Sequence, residues 1–216
     1  MRGSGCLWTK SKSGSSQMWL QRQARDVFVK ERDKQGYVAR AAFKLLDMDA
    51  KRRFLKPRAA VLDLGAAPGG WTQVALRKGC GPVVSCDLLE HSLPPGDPCL
   101  PQLQWIKGDF TSAEVQARMA ARLGGQCDVL LCDAAPDYAG QASLDHIRLI
   151  ALARTAFDLS DTLLKARGGT LVVKVSRGGD EIKLREAMRR KFVSAEFVKP
   201  EASRKESTEI YLLAQR

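Results

Sequence analysis

The chain has 216 residues, 44% of them hydrophobic, enough for one main folded domain with a modest extension. Its formal net charge of +11 is uneven: residues 1–60 hold 15 lysines and arginines against 5 acidic residues, a net +10, while residues 61–216 hold 20 against 19. No apolar run approaches the roughly 18 residues of a membrane span and no signal-peptide core precedes the domain; six cysteines without a C-x-x-C pair, beside two histidines, argue against zinc and for reduced thiols inside a cell.

Residues 1–18 are rich in serine, glycine and lysine and lack acidic residues, which reads as a flexible basic arm or the remnant of a transit sequence. From Trp19 to about Phe54 the apolar spacing is helical, and Pro57 closes a basic helical extension over residues 19–58. Arg40 and Lys44 fall on one helix face. A basic segment ahead of a nearly neutral domain is the electrostatic footprint of a nucleic acid partner, and the absence of a strong apolar face argues against a membrane. The candidate phosphate contacts are Arg22, Arg25, Lys30, Arg32, Arg40, Lys51, Arg52 and Arg53. The plain alternative is a solvated, solubilising surface.

Val61 to Gly70, V-L-D-L-G-A-A-P-G-G, reads as a buried strand that opens through glycines onto a helix beginning at Trp71. Such a turn lets backbone N–H groups approach a polar ligand closely. Its pattern, D-x-G-x-x-x-G-G, departs from the G-x-G-x-x-G of dinucleotide sites and favours S-adenosylmethionine, which has no pyrophosphate to cradle, over NAD.

Further strands are expected at 82–87, 103–109, 127–133 and 169–175, with helices at about 71–78, 112–123, 143–165 and 180–191. Gly168 and Gly169 are expected to stop the long helix. This alternation predicts an α/β domain over residues 59–216 with a mostly parallel sheet and helices on both faces. The last strands, Ser194 to Val198 and Glu209 to Ala214, lack a helix between them and should form an antiparallel hairpin.

Open α/β sheets bind ligands beyond the carboxyl ends of their strands, where Asp63, Asp87, Asp109 and Asp133 all fall. Asp87 is placed to accept from ribose hydroxyls and Asp109 to meet an adenine amino group, although each alone could be a turn or cap residue. Lys174 interrupts the apolar run L-V-V-K-V, so it must snorkel, pair or do chemistry. Glu209 opens the apolar strand T-E-I-Y-L-L-A and is its natural ionic counterpart if the two strands are neighbours.

Several segments together resemble the RrmJ/FtsJ family of ribose 2′-O-methyltransferases: A-R-A-A-F-K-L (Ala39 to Leu45), D-L-G-A-A-P-G-G-W (Asp63 to Trp71), C-D-L-L, G-D-F, C-D-A-A-P-D (Cys132 to Asp137), V-V-K-V and K-P-E-A-S-R-K-E-S-T-E-I-Y (Lys199 to Tyr211). The resemblance runs from about Trp19 onward and preserves motif order. It implies a Rossmann-like class I methyltransferase fold, S-adenosylmethionine as cofactor, S-adenosylhomocysteine as product and no metal. It also implies a catalytic tetrad of Lys44, Asp133, Lys174 and Glu209. Cofactor contacts are expected from Asp63, Gly65, Ala66, Pro68, Gly69, Gly70, Trp71, Asp87, Leu88, Asp109, Phe110 and Asp133. The closing K-P-E-A-S-R-K-E-S and L-D-H-I-R-L-I (Leu144 to Ile150) are most similar to the mitochondrial large-subunit rRNA branch and its α-proteobacterial relatives. That implies a monomer acting on rRNA within a large ribosomal subunit or its precursor, with the mitochondrial matrix favoured over a bacterial cytoplasm. Two departures stand out: Asp137 where the family has asparagine, and the basic S-R-G-G after V-V-K-V, a candidate RNA contact.

In this reading Lys174 receives or orients the 2′-hydroxyl proton, and Lys44 lowers its pKa by repulsion and stabilises alkoxide charge. Asp133 aligns Lys174, and Glu209 anchors it. The rivals are a tRNA ribose methyltransferase, a small-molecule or protein methyltransferase, and a ribosome-assembly factor that keeps the fold without turnover. An NAD-dependent reductase is the weakest, since neither Tyr-x-x-x-Lys nor G-x-G-x-x-G occurs.

Overall fold

The computed structural model describes residues 26–137, 139–204 and 206–216. Seven strands form one sheet: β1 (Val61–Leu64), β2 (Val83–Asp87), β3 (Gln104–Lys107), β4 (Val129–Cys132), β5 (Thr170–Ser176), β6 (Ser194–Val198) and β7 (Glu209–Gln215). Their spatial order is β3-β2-β1-β4-β5-β7-β6. The pairs from β3 to β5 are parallel, and β7 is antiparallel to both β5 and β6. The expected hairpin is therefore present, with β7 in the sheet interior.

Six α-helices are described: α1 (Val27–Gln35), α2 (Ala42–Arg52), α3 (Gly70–Arg77), α4 (Ala113–Leu123), α5 (Ala142–Leu163) and α6 (Asp180–Arg189). Residues 1–25, which take in the expected basic arm and the start of the expected helical extension, lie outside the described residues; from Asp26 onward that extension is divided, because Gly36 adopts φ 68° and caps α1 before α2 begins. Asp26 caps the start of α1 by accepting from the Phe28 amide, and Ser112 does the same for α4 through Val115.

Every residue of β1, β4 and β5 is buried, as a strand covered on both sides requires. On one face α4, α5 and α6 bury Met119, Phe157 and Leu184 against Leu62, Leu130, Val173 and Leu212. On the other, α2 and α3 bury Leu45, Met48, Trp71 and Val74 against Val61, Leu131, Val172 and Tyr211. Alternation along β5 places Lys174 and Ser176 on this second face, beside Tyr211 and Glu209 of β7. The helix that carries Lys44 thus shares a core with the strand that carries Glu209.

Element boundaries shift by one or two residues from the sequence reading. The long helix, expected over 143–165, ends at Leu163, because Leu164 turns extended and forms a parallel bridge with Cys127. Backbone pairing there stops the helix ahead of Gly168 and Gly169. Cys80, Cys86, Cys99, Cys127 and Cys132 are buried free thiols, and burial pushes Cys86 and Cys132 up to about 12. No described helix is long and apolar enough to cross a membrane.

Candidate active site

The glycine turn fits where a side chain would not. A Cβ on Gly65, which has φ 67°, would lie 2.4 Å from the Ala134 Cα, so this position lets the turns after β1 and β4 touch. Beyond that contact opens a cavity of about 520 Å³, lined by Gly65, Asp87, Leu88, Asp109, Phe110 and Asp133 among others. Asp137, the departure from the family pattern, also lines it. Asp63, Ala66, Pro68, Gly69, Gly70 and Trp71 do not: Asp63 is fully buried, and Trp71 is buried, donates its indole N–H to the Ala41 carbonyl at 2.8 Å and packs on Tyr211. It joins α3 to α2 behind the site.

The strand-end aspartates have distinct surroundings. Asp87 accepts from the Ala67 amide and the Leu89 amide, both at 2.9 Å, and so ties the glycine turn to the cavity rim. Asp109 accepts from the amide and hydroxyl of Thr111 at 2.8 Å, a local turn bond made at an exposed position. Asp63 is fully buried; one carboxylate oxygen accepts from Thr72 Oγ1 at 2.7 Å, and the other has no partner. Burial raises its pKa to about 7 against the Thr72 bond, with the charges of Asp133 and Asp87 pushing the same way.

Lys44, Asp133, Lys174 and Glu209 arrive from four separate elements and meet. Lys174 Nζ, on a residue only 6% exposed, donates to the Asp133 carbonyl at 2.7 Å and lies 3.3 Å from its Oδ1. Lys44 Nζ lies 3.6 Å from Glu209 Oε2. Between the two pairs stands Tyr211, whose hydroxyl donates to Asp133 Oδ1 at 2.7 Å and accepts from Lys44 Nζ at 3.1 Å. Burial alone would raise the Asp133 carboxyl, but the charges of Lys174 and Lys44 and the bonds from Tyr211 and Lys174 outweigh it and hold the pKa below its ordinary value. Burial pushes the Tyr211 phenol well up, and the charge of Asp133 adds to the shift, so the hydroxyl remains a donor at neutral pH.

Sequence reasoning missed Tyr211. Its signal was weak: an aromatic residue two positions after Glu209 on a strand reads as core, and only the register Lys174↔Tyr211 shows which charges its hydroxyl meets.

A second cavity, about 800 Å³, opens on the other side of the tetrad and is lined by Arg40, Lys44, Arg204, Glu206, Ser207 and Glu209. Asp133 lines the first cavity, while Lys44 and Glu209 line the second, so the charged cluster is the partition between them. Ser176 is buried and hydrogen-bonds His146 Nδ1 at 2.8 Å, which leaves Arg177 as the exposed cation of S-R-G-G.

The basic residues expected at RNA are dispersed. Arg22 and Arg25 lie outside the described residues. Arg40 lines the second cavity, although it is also tied to Asp26 at 2.9 Å and to the Ala202 carbonyl at 2.6 Å. Lys30 is exposed on α1, and Arg32 binds its neighbour Asp33. Lys51 pairs with Asp47, and Arg52 and Arg53 lie at the far end of α2 beside the starts of the strands.

A parallel sheet of this order, with an inserted antiparallel β7, glycines at the first strand end and a partitioned pair of cavities, defines a Rossmann-like class I methyltransferase fold. A family model described as FtsJ-like methyltransferase matches residues 37–216, and the chain belongs to that family. Among its relatives is a ribosomal RNA large subunit methyltransferase E of Granulibacter bethesdensis, 43% identical over 95% of this chain and 86% of that protein. Another of the same name, from Gluconobacter oxydans, is 42% identical over 95% of this chain and 74% of that protein. A crystal structure described as that of a ribosomal RNA methyltransferase from Plasmodium falciparum superimposes with a TM-score of 0.71 at 26% identity, covering 83% of this chain and 98% of that one. The two enzymes first named are bacterial and give no support to the mitochondrial matrix favoured from the sequence.

Proposed function

We propose that the protein transfers a methyl group from S-adenosylmethionine to a ribose 2′-hydroxyl of large-subunit rRNA, a uridine of the peptidyl-transferase A-loop, as a monomer in a bacterial cytoplasm. The observation that carries the reading is the partition: one charged cluster faces a cofactor-sized cavity through Asp133 and an open cleft through Lys44 and Glu209. The names of the relatives supply the rRNA, and the resemblance supplies the uridine.

The cofactor cavity suits S-adenosylmethionine because the rim carboxylate of Asp87, the lining carboxylate of Asp133 and the close approach at Gly65 match a cationic, hydroxyl-bearing ligand. Leu88 and Phe110 would enclose its adenine. When bound, S-adenosylmethionine supplies an electrophilic methyl carbon that the ribose 2′-oxygen captures as the carbon–sulfur bond breaks.

The chain's own residues then have separable tasks. Lys174 orients the 2′-hydroxyl and takes its proton, for which it must present a neutral amine at the moment of attack. Asp133, held ionised, fixes that amine through two contacts 2.7 and 3.3 Å long. Lys44 stabilises negative charge growing on the 2′-oxygen, and Glu209 holds Lys44 at the mouth of the cleft. Tyr211 links Lys44 to Asp133 and so ties the two charged pairs into one hydrogen-bonded cluster.

The test is to map ribose methylation on large-subunit rRNA incubated with the wild-type protein and with Lys174→Ala, measuring cofactor affinity separately. The expected result is one methylated uridine that disappears in a variant still binding cofactor normally. Full methylation by Lys174→Ala would overturn the assignment of the base, and methylation of tRNA instead would move the substrate.

A further inference from the structure

The acceptor cleft is too nearly neutral to grip a large polyanion by itself. Among its described lining residues, Arg40, Lys44 and Arg204 face Glu206 and Glu209. A more positive surface, among the described residues, lies at the opposite edge of the sheet, around a cavity of about 420 Å³ beside the starts of the strands. Arg52, Arg53, Lys56, Arg58 and Lys165 line it against the single carboxylate of Asp128, a net charge of +4. Thr170 lines it too, and six strand steps along β5 separate Thr170 from Ser176 at the catalytic edge, about 20 Å.

Two of these cations are committed: Lys165 binds Asp128 at 2.6 Å, and Arg52 pairs with Glu196. Among the described residues, Arg53, Lys56 and Arg58 form no ion pair, and all three are exposed. Arg53 and Arg58 also hold φ of 52° and 66°, the left-handed region in which a side chain costs energy and glycine does not. Arg53 occupies the cap position of α2, where glycine is the commonest choice. Folding alone does not call for arginine at either place. None of the large apolar side chains exposed in the structure lines this cavity, which removes the apolar anchor that a membrane or an amphipathic peptide would need.

We propose that this surface, centred on Arg53, Lys56 and Arg58, is a second RNA site that binds backbone phosphates of a folded rRNA about 20 Å from the ribose being methylated. The inference rests on the proposal that the substrate is rRNA. Arginine forks and a lysine on a rigid loop suit phosphate oxygens, and the separation suits a structured RNA that reaches both edges of the domain. The site contributes grip and leaves the chemistry to the other edge.

The test compares two RNAs, a folded large-subunit rRNA domain and a short hairpin carrying only the target loop. Each is measured for binding and methylation with the full-length wild-type protein, with Lys56→Ala/Arg58→Gly and with Arg58→Lys. The double variant should lose 10- to 100-fold in affinity for the folded domain at about 0.1 M salt, with a salt slope shallower by about 0.9 per lost contact. Hairpin methylation should be unchanged, and Arg58→Lys, which keeps the charge and the backbone geometry, should bind the folded domain nearly as the wild type does. The glycine relieves the left-handed backbone, so a melting temperature at or above wild type separates lost contact from lost fold. Unchanged affinity and slope for the folded domain would overturn the proposal while wild-type methylation still upholds the rRNA reading. A wild-type protein that binds and methylates neither RNA would overturn both.

Discussion

The two edges of the sheet carry charge in opposite ways. At the carboxyl edge, Lys174, Asp133 and Tyr211 are largely withdrawn from water and linked through bonds of 2.7 Å. At the amino edge, Arg53, Lys56 and Arg58 stand in solvent without ionic partners among the described residues. A buried charge is costly unless its partners compensate it, and that compensation fixes its position to within tenths of an ångström. An exposed cation costs little, tolerates many geometries and attracts phosphate over about 10 Å. One edge is therefore built of fixed, compensated charge and the other of free, exposed charge, as the two proposals require.

Four substitutions probe that contrast, and the largest effect is expected at the catalytic edge. Lys174→Ala should lower kcat on the order of 10²- to 10⁴-fold with cofactor affinity retained, read by single-turnover methylation beside calorimetric binding. A kcat within threefold of wild type would remove Lys174 from the chemistry.

Asp63→Asn tests the cost of burial. The folded pKa, about 7, lies above the ordinary 3.8, so the folded state holds a proton that the unfolded chain has lost between those values. Wild-type stability without ligand should therefore fall as pH rises from about 4 to 7, by up to ~4 kcal/mol across the three-unit window. The asparagine variant should show a flat profile over the same range in urea melts. A variant that kept the wild-type slope would assign the pH dependence to other groups.

Tyr211→Phe keeps the packing on Trp71 and removes only the hydroxyl between Lys44 and Asp133. About a tenfold loss in kcat is expected, the worth of one hydrogen bond to a charged group, with melting shifted by only a few degrees. A normal rate with a large melting shift would reduce the residue to core. The smallest effect belongs to the opposite edge. Arg53→Gly should stabilise the fold by about 0.5 to 1 kcal/mol while weakening RNA binding, a combination that chemical denaturation and filter binding together would detect.

Legibility in the sequence followed the same divide. The parallel strands were readable because runs such as V-L-D-L and V-L-L-C are buried on both faces, and aspartates at their carboxyl ends mark the edge where open α/β sheets bind ligands. Lys174 was readable because a lysine in such a run has no ordinary explanation. Tyr211 was not, since its role depends on pairing with a strand some forty residues away. The helix end at Leu163 was hidden for a similar reason, because its competitor was a backbone bridge to Cys127 rather than a local glycine. The basic extension reads along the chain as one block. In space α2 crosses the sheet from the Lys44 end to the Arg53 end, so neighbouring charges in sequence reach opposite edges of the molecule.

The place of β7 has a consequence for when activity begins. It is the last strand in chain order, yet it lies between β5 and β6 and brings both Glu209 and Tyr211. During synthesis the glycine turn, Asp133 and Lys174 all emerge earlier, but β6 has no neighbour in the sheet until β7 arrives. The lining of the first cavity is complete in sequence by Leu152, whereas the Tyr211 link from Lys44 to Asp133 comes only with β7. If the proposed roles of Glu209 and Tyr211 hold, competence comes with the closing strand, and catalysis itself becomes a signal that the sheet is finished.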